Sequence, residues 1–588
     1  MRRLSRLRPT PSLRRSVLVA AGLCGLAALI VEYGTDLSAR DRTLVRFLTG
    51  AAVGLFLVEQ ALAAVAVRPW RRWLRERWPT LLLSALLLAE MSLLLLFRHS
   101  AGVNRFLEQL HLPSLTRAYV VLAQFYILAR LAVGLPRVHR RLAAARVRPA
   151  IAMMVIFFGV ILGGTGLLLL PRATPAAAPI TVLDALFTAT SAVCVTGLIV
   201  RDTAVDFTVT GQVIIMILIQ LGGLGIMSLT AFLSLLLGRG IGVRESSMLR
   251  EVFQVPLWSD VGRVLRFIVI LTLVAEAIGT AVLYWGLRDV IVAPGPRLFA
   301  AAFHAVSAYC NAGFSLFSGS LVGLDEHPIV AGAIAVLLVA GGLGFTVAAQ
   351  LTDTARGRLR GRGRAVRLAT QTRIVLSLTA LLLGAGAGVI LVLEWNGALA
   401  GHSWPGKLAH AFFQSATCRT AGFNTLPVPA FGNPALLIMM VLMFIGGAPG
   451  STAGGIKVTT LAVMWANLQS GRHGFHQVRI GRREIDPSGV NRALIVVTSA
   501  AVAVALGTFV LLVLEGRDLM ETGFEVVSAF GTVGLSLGLT PELSPLGRSL
   551  VIVLMFVGRL GPLTLAYGLT PAARDRQVRL PRTTVMVG

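Results

Sequence analysis

Residues 524–534 read FEVVSAFGTVG, and the rest of the chain is read from them. Three other stretches share the frame: FTATSAVCVTG at 187–197, FHAVSAYCNAG at 303–313 and FFQSATCRTAG at 412–422. Each carries a Phe ten residues ahead of its Gly. Ser191, Ser307 and Ser528 open a Ser-Ala pair six residues ahead; in the third stretch Ser415 is out of step, seven ahead. The glycines are separated by 313 − 197 = 116, 422 − 313 = 109 and 534 − 422 = 112 residues. A near-constant period of this kind is the mark of an internal repeat. Four quasi-equivalent loops in one chain can surround one axis.

The totals fix the solvent. Of 588 residues, 55% are hydrophobic and 14% charged, against about 25% charged for a soluble domain. The apolar runs approach or exceed the roughly 20 residues that cross a bilayer core. The chain therefore reads as an all-α polytopic membrane protein. Its net charge of +27 suggests nucleic acid at first sight. The arginines, however, fall between apolar spans, as cytoplasmic loops require under the positive-inside rule, so no nucleic-acid partner is expected. The 4 Cys form no metal spacing.

Residues 1–149 form an N-terminal transmembrane region of four expected helices near 17–33, 45–67, 79–97 and 117–136. Arg130 stands nearly alone in the last, which argues against voltage sensing and for an ion pair with Glu59 or Glu90. Four repeats follow, at 150–250, 251–365, 366–485 and 486–572, then a tail at 573–588. Each repeat reads as an apolar helix, a half-helix of about ten residues, a turn at the Gly, and a second apolar helix. The first helices are expected near 150–170, 263–287, 371–395 and 492–515. The half-helices end near Val193, Tyr309, Thr417 and Phe530, and the second helices lie near 208–238, 327–350, 433–468 and 545–569. Half-helices are too short to span, and irregular backbone at membrane depth belongs in a cavity. Arginines after each second helix, among them Arg244, Arg358, Arg483 and Arg576, place those ends and both termini in the cytoplasm. The reading is a multi-pass plasma-membrane protein with twelve spans.

A ring of backbone carbonyls replaces the water of a dehydrated cation without a fixed charge that would trap it. Aiming successive carbonyls at one axis takes unusual dihedrals, which Gly accepts. The ion-binding residues are accordingly assigned to Val195, Thr196 and Gly197; Asn311, Ala312 and Gly313; Thr420, Ala421 and Gly422; and Thr532, Val533 and Gly534. The negative end of each half-helix would face the ion. Thr532-Val533-Gly534 matches the first half of the potassium-channel TVGYG signature.

Over residues 150 to 570 the motifs SAVCVTGL, SAYCNAGFSLF, RTAGFNT and SAFGTVGLSLG resemble those of the Trk/Ktr/HKT superfamily of potassium transporters, nearest its bacterial KtrB/TrkH membrane subunits. The resemblance implies four membrane-pore-membrane repeats forming a single-chain pseudo-tetrameric pore. It implies K+ as the transported ion, with Na+ as a coupling ion in some members. Leu198, Phe314, Phe423 and Leu535 stand where the channel motif has Tyr, which predicts fewer well-formed ion sites. The resemblance also implies a homodimer, a separate KtrA/TrkA-like nucleotide-binding regulatory subunit, and a bacterial inner membrane. No cofactor is implied, and no convincing dinucleotide fingerprint occurs in the chain itself.

The second helices carry GGLG at 222–225 and 341–344 and GRLG at 558–561. The third repeat has GGAPGSTAGGIK instead: Gly446, Gly447, Pro449, Gly450, Ser451, Thr452, Gly454, Gly455 and Lys457. Glycine and proline at that density break a helix, and the resemblance implies a gating loop beneath the filter. Arg559 takes the place of Gly223 and Gly342. It reads as an electrostatic barrier bonded to loop carbonyls, or else as packing behind the pore; Lys457 would anchor the loop's cytoplasmic end. Cys194, Cys310 and Cys418 read as small buried residues behind the turns, and Arg419 and Asp202 as neighbours of the outer mouth. The alternatives are a weakly selective or Na+-permeable channel of the same fold, and a membrane-embedded enzyme. The enzyme reading lacks any clustered acid, base and nucleophile. His304 and Glu525 together around a metal would revive it.

Overall fold

The computed structural model describes residues 149–225, 261–359 and 368–561, apart from 177, 325–326, 475–476 and 482, with isolated positions between 17 and 58. The four expected N-terminal helices, the pairing of Arg130, the arginine clusters at 239–250, 360–364 and 574–579, and residues 226–238 and 562–588 lie outside the described residues.

Helix is nearly the only regular structure among the described residues, as a chain in hydrocarbon needs to satisfy its own backbone. In order they form α1 (Pro149–Leu168), α2 (Val182–Cys194), α3 (Val209–Leu224), α4 (Val261–Gly286), α5 (Pro294–Tyr309), α6 (Pro328–Gly342), α7 (Phe345–Leu359), α8 (Thr370–Leu393), α9 (Trp404–Thr417), α10 (Asn433–Phe444) and α11 (Val458–Arg472). A two-residue hairpin, β1 (Arg479–Ile480) with β2 (Arg483–Glu484), leads to α12 (Pro487–Glu515), α13 (Leu519–Gly531), the single turn α14 (Leu539–Glu542) and α15 (Pro545–Leu560). The same motif of long helix, short helix, glycine turn and helix occurs four times, starting at α1, α4, α8 and α12.

Local chemistry sets these elements. The half-helices α2, α9 and α13 start on side-chain caps: Thr181, Ser403 and Asp518 accept from the backbone N–H of Asp184, Gly406 and Met520. The half-helix α5 starts on proline instead. At 13 to 16 residues the half-helices reach about 20–24 Å at 1.5 Å per residue, short of a bilayer core of roughly 30 Å. The long helices show an inverted surface. In α12, Ala493, Ala500, Gly507 and Leu511 form a narrow buried stripe, while Val502, Leu506, Phe509 and Val513 are exposed. Small residues on the packed side and large apolar ones outside are what a lipid-facing helix needs. Among the described residues three helices are long and apolar enough to cross a membrane: 264–286, 370–393 and 487–515.

The second helices depart from the sequence reading. The expected continuous helix near 327–350 is two helices, α6 and α7, bent by 101°. The last glycine of the GGLG motif causes the break: Gly344 has a φ of +81°, and Gly225 and Gly561, where α3 and α15 end, have φ of +74° and +82°, which an L side chain adopts only at a cost. The first glycine does a different job. A Cβ on Gly222, Gly341 or Gly558 would strike the carbonyl oxygen of Val193, Tyr309 or Phe530, the last turn of the same unit's half-helix. These glycines let each second helix lie directly on its half-helix.

The apolar core follows the junctions between units. One cluster joins α1–α3 with Phe303 and Phe314 of the second unit and Val526, Val551 and Leu554 of the fourth. A second joins α4–α6 with Phe413 and Phe423. A third joins α8–α10 with Phe524 and Val533. At the junction of first and last units, the buried carboxylate of Asp184 pairs with Arg201 at 3.2 Å and with Arg548 of α15 at 2.5 Å.

Candidate functional site

The four turns share one backbone pattern. Val195, Asn311, Thr420 and Thr532 have φ between +51° and +71°, and the glycines two residues later have φ between +72° and +97°. Left-handed residues alternating with an ordinary one are costly for β-branched Val and Thr. They are held by the half-helix: the N–H of Thr196, Ala312 and Val533 donates to the carbonyls of Ser191, Ser307 and Ser528 at 2.7–2.9 Å. The serine hydroxyls add a second hold. Ser191 and Ser528 accept from the N–H of Gly197 and Gly534, both at 3.1 Å, and Ser307 donates to the Phe314 carbonyl at 2.7 Å.

The third turn keeps the shape in a different register. Ala421 N–H donates to the Thr417 carbonyl, and Thr417 Oγ1 donates to the Phe423 carbonyl. Thr417 therefore takes the place expected of Ser415, and the turn is one residue tighter than the other three. The buried phenylalanine shifts with it: Phe413 is 3% exposed, whereas Phe412 is 42% exposed. Ser415 Oγ donates instead to the Leu383 carbonyl of α8 at 2.9 Å.

The glycines meet in a closed ring. A Cβ on Gly197 would lie 2.5 Å from the Ala312 carbonyl oxygen, and one on Gly313 2.8 Å from that of Ala421. A Cβ on Gly422 would strike the Val533 oxygen, and one on Gly534 the Thr196 oxygen. The contacts run from the first unit to the second, third and fourth and back to the first. Each glycine is thus required twice, for its dihedral and for the carbonyl beside it. The negative ends of four half-helices converge here. Thr196, Thr420 and Thr532 hydroxyls are buried without a protein partner. On one side the ring opens into a cavity of about 450 Å³ lined by all four glycines together with Asp202, Ser315, Asn424 and Ser536.

On the other side lies the loop between α10 and α11, where sequence placed the break. Its two ends pair in parallel at Ile445 and Ile456. Gly450 and Gly455 have φ of +68° and +61°. Ser451 Oγ donates to the Ala448 carbonyl, and Lys457 Nζ donates to the carbonyls of Ala453 at 2.6 Å and Gly454 at 3.3 Å. The loop is stitched to the break in the second unit: Ala448 N–H donates to Gly342, Thr452 N–H to Gly341, and Phe345 N–H to Gly450. Gly447 accepts from Val458 N–H, and the Pro449 carbonyl lies against Gly344. Thr452 Oγ1 donates to the Tyr309 carbonyl at 3.3 Å, and Gly454 leaves no space for a Cβ beside Thr532. The loop therefore sits against the half-helix ends of the second and fourth turns, at Tyr309 and Thr532.

Two arginines hold it. Arg559 Nη1 donates to the Thr452 carbonyl and Nη2 to that of Gly222 in α3 at 2.7 Å. Arg419, expected near the outer mouth, is 7% exposed and donates to the Gly446 carbonyl on the loop side. Its neighbour sequence gave no hint of this, because Gly446 is reached only in three dimensions. Cys194, Cys310 and Cys418 are free and buried. His304 and Glu525 each bond within their own unit, to Ser315 and to Ser536 with Thr540. Among the described residues no three His, Cys, Asp or Glu side chains come together as metal ligands.

Comparison with known proteins bears directly on this arrangement. The family described as TrkH, cation transport protein, matches residues 120–572. The Ktr system potassium uptake protein B of Vibrio alginolyticus is 39% identical over 443 residues, covering 74% of this chain and 94% of that protein. Its namesake in Bacillus subtilis (strain 168) is 36% identical, covering 75% and 97%. The potassium/sodium uptake protein NtpJ of Enterococcus hirae is 33% identical, covering 75% and 98%. The crystal structure of the potassium transporter TrkH from Vibrio parahaemolyticus has the same fold, with a TM-score of 0.59 at 19% identity over 84% of this chain and 98% of that one. The chain belongs to the TrkH family of cation transport proteins.

Proposed function

We propose that this protein takes up K+ across a bacterial plasma membrane, through a filter formed by its four glycine turns. The observation that carries the reading is the closed ring of Gly197, Gly313, Gly422 and Gly534, each packed on the carbonyl of the next unit. Alternating backbone handedness supplies stacked carbonyl oxygens, and the half-helix ends add negative potential where the ion is dehydrated. The unpartnered hydroxyls of Thr420 and Thr532 offer further oxygens at the inner end. Relatives named for potassium uptake support K+ as the ion.

The loop from Gly446 to Lys457 acts as the gate. It lies against the inner ends of two turns, and Arg559 fastens it to the first unit while placing a cation on the path. Conduction requires the loop to withdraw. A homodimer and a cytoplasmic regulatory subunit acting on this loop complete the assembly. A second reading, a pore that also passes Na+, is favoured by the single glycine per turn and by the relative named for potassium/sodium uptake.

Flux in proteoliposomes with defined K+ and Na+ gradients decides between them. Gly534→Ser is expected to cut the K+ over Na+ flux ratio by about tenfold or more, because φ is +97° there and the new Cβ meets the Thr196 carbonyl. An unchanged ratio would exclude the ring as the filter, and equal K+ and Na+ flux in the unsubstituted protein would exclude K+ selectivity.

A further inference from the structure

The residue after the buried phenylalanine differs in the four half-helices: Thr188, His304, Gln414 and Glu525. None is more than 1% exposed. In the second and fourth units this residue reaches the serine two positions beyond the ring glycine. His304 Nδ1 lies 2.8 Å from the Ala300 carbonyl and so carries the proton. Its Nε2 is then the acceptor, for the Ser315 hydroxyl at 3.0 Å and for Leu316 N–H at 3.3 Å. Glu525 accepts from the Ser536 hydroxyl at 2.8 Å and from Thr540 Oγ1. Both serines also accept, at 3.0 Å, from the N–H two residues on, Phe317 and Gly538. One device is thus built twice with different chemistry.

The other two units lack it. Ile199 and Asn424 occupy the position two beyond the glycine, and Thr188 Oγ1 and Gln414 Oε1 are buried with no partner. Asn424 is held from outside, by Ser320 and by Leu321 N–H of the second unit. Since the glycine contacts run through the units in order and close, the second and fourth units face each other across the ring.

We propose that His304 and Glu525 are positioning residues that brace opposite sides of the ring, through Ser315 and Ser536, and so fix its width along one diagonal. On the other diagonal the bonds from half-helix to turn lie farther from the ring glycine, from His410 to Thr425 and from Asp184 to Arg201, and none reaches the position two beyond the glycine. The proposal rests on the ring being the ion filter. A filter distinguishes K+ from a smaller ion only if its oxygens cannot close in on the smaller one. Buried hydrogen bonds from a half-helix to the position two beyond its ring glycine resist that movement more directly than bonds anchored farther along the chain.

The test is K+ and Na+ flux, each as a concentration series, in proteoliposomes of Ser315→Ala, Ser536→Ala, Ser315→Thr, Ser536→Thr, Thr188→Val and Gln414→Leu, with Gly534→Ser alongside. Each alanine variant is expected to lower the K+ over Na+ ratio about fivefold, as loss of one buried hydrogen bond would, and to raise the half-saturating K+ concentration. The threonine variants keep the hydroxyl and are expected to restore both. The substitutions on the other diagonal should leave the ratio unchanged. Unchanged ratios in both alanine variants overturn the brace, as does an equal fall in Thr188→Val and Gln414→Leu. If Gly534→Ser lowers the ratio while the serine variants do not, the brace fails and the filter stands. If Gly534→Ser also has no effect, the filter itself fails.

Discussion

Arg559→Ala removes a guanidinium that joins the 445–457 loop to the first unit. Two carbonyls lose a donor, Thr452 in the loop and Gly222 in α3, the latter keeping the Gly225 N–H. Hydrogen bonds to a charged group contribute about 1.5–3 kcal/mol each, so both together hold the loop by about 3–6 kcal/mol. Relief of the desolvation of a buried cation works in the opposite direction, which favours the lower figure. At 1.4 kcal/mol per factor of ten, about 3 kcal/mol shifts the closed-to-open ratio by roughly a hundredfold. The loop should keep its shape, because the bonds that Ala448 and Thr452 N–H donate to the second unit, that Phe345 N–H of that unit donates to Gly450, and that Lys457 donates to the loop carbonyls are untouched. K+ uptake into proteoliposomes under a fixed gradient is therefore expected to rise by about tenfold or more, with the K+ over Na+ ratio preserved. Arg559→Lys retains the charge but not the fork that spans two carbonyls, and should fall between. Flux equal to that of the unsubstituted protein would remove both the barrier and the latch, leaving Arg559 as packing.

Gly454→Ala should act in the same direction by another route: its Cβ would strike Thr532 Oγ1, push the loop off the fourth turn and raise flux in the same assay. The tightened third turn makes a contrast between neighbours. Phe413→Ala should cost about 3–5 kcal/mol as a fully buried aromatic, and Phe412→Ala about 0.5 kcal/mol or less as a surface change; thermal unfolding of the purified variants measures both, and equal shifts would refute the register.

The repeats were legible because glycine and phenylalanine recur at nearly constant spacing, and the half-helix ends expected at Tyr309 and Thr417 are where α5 and α9 stop. The loop at 446–457 was legible for a similar local reason, its density of glycine and proline. What sequence did not reveal depends on contacts between units about a hundred residues apart. Ser415 has the right chemistry for the turn, yet Thr417 fills the role, because a one-residue shortening is invisible without the geometry of the helix end. The bend at Gly344 was missed because GGLG reads equally well as close packing. In the structure the motif does both: Gly341 packs and Gly344 breaks. Asp184 looks like an ordinary residue in the first turn of a half-helix, and only the fold brings Arg548, 364 residues away, to its carboxylate.

Arg559 also has a consequence for why such a protein is one chain. An assembly of four identical subunits would install every substitution fourfold, and four guanidinium groups at one level of a narrow passage would repel one another. Two unit charges 8 Å apart repel by about 2 kcal/mol at an effective dielectric of 20, for every pair. Covalent linkage lets glycine stay at Gly223 and Gly342 while arginine stands at the corresponding place in the fourth unit. Gene fusion thus permits a dose of charge that rotational symmetry would forbid.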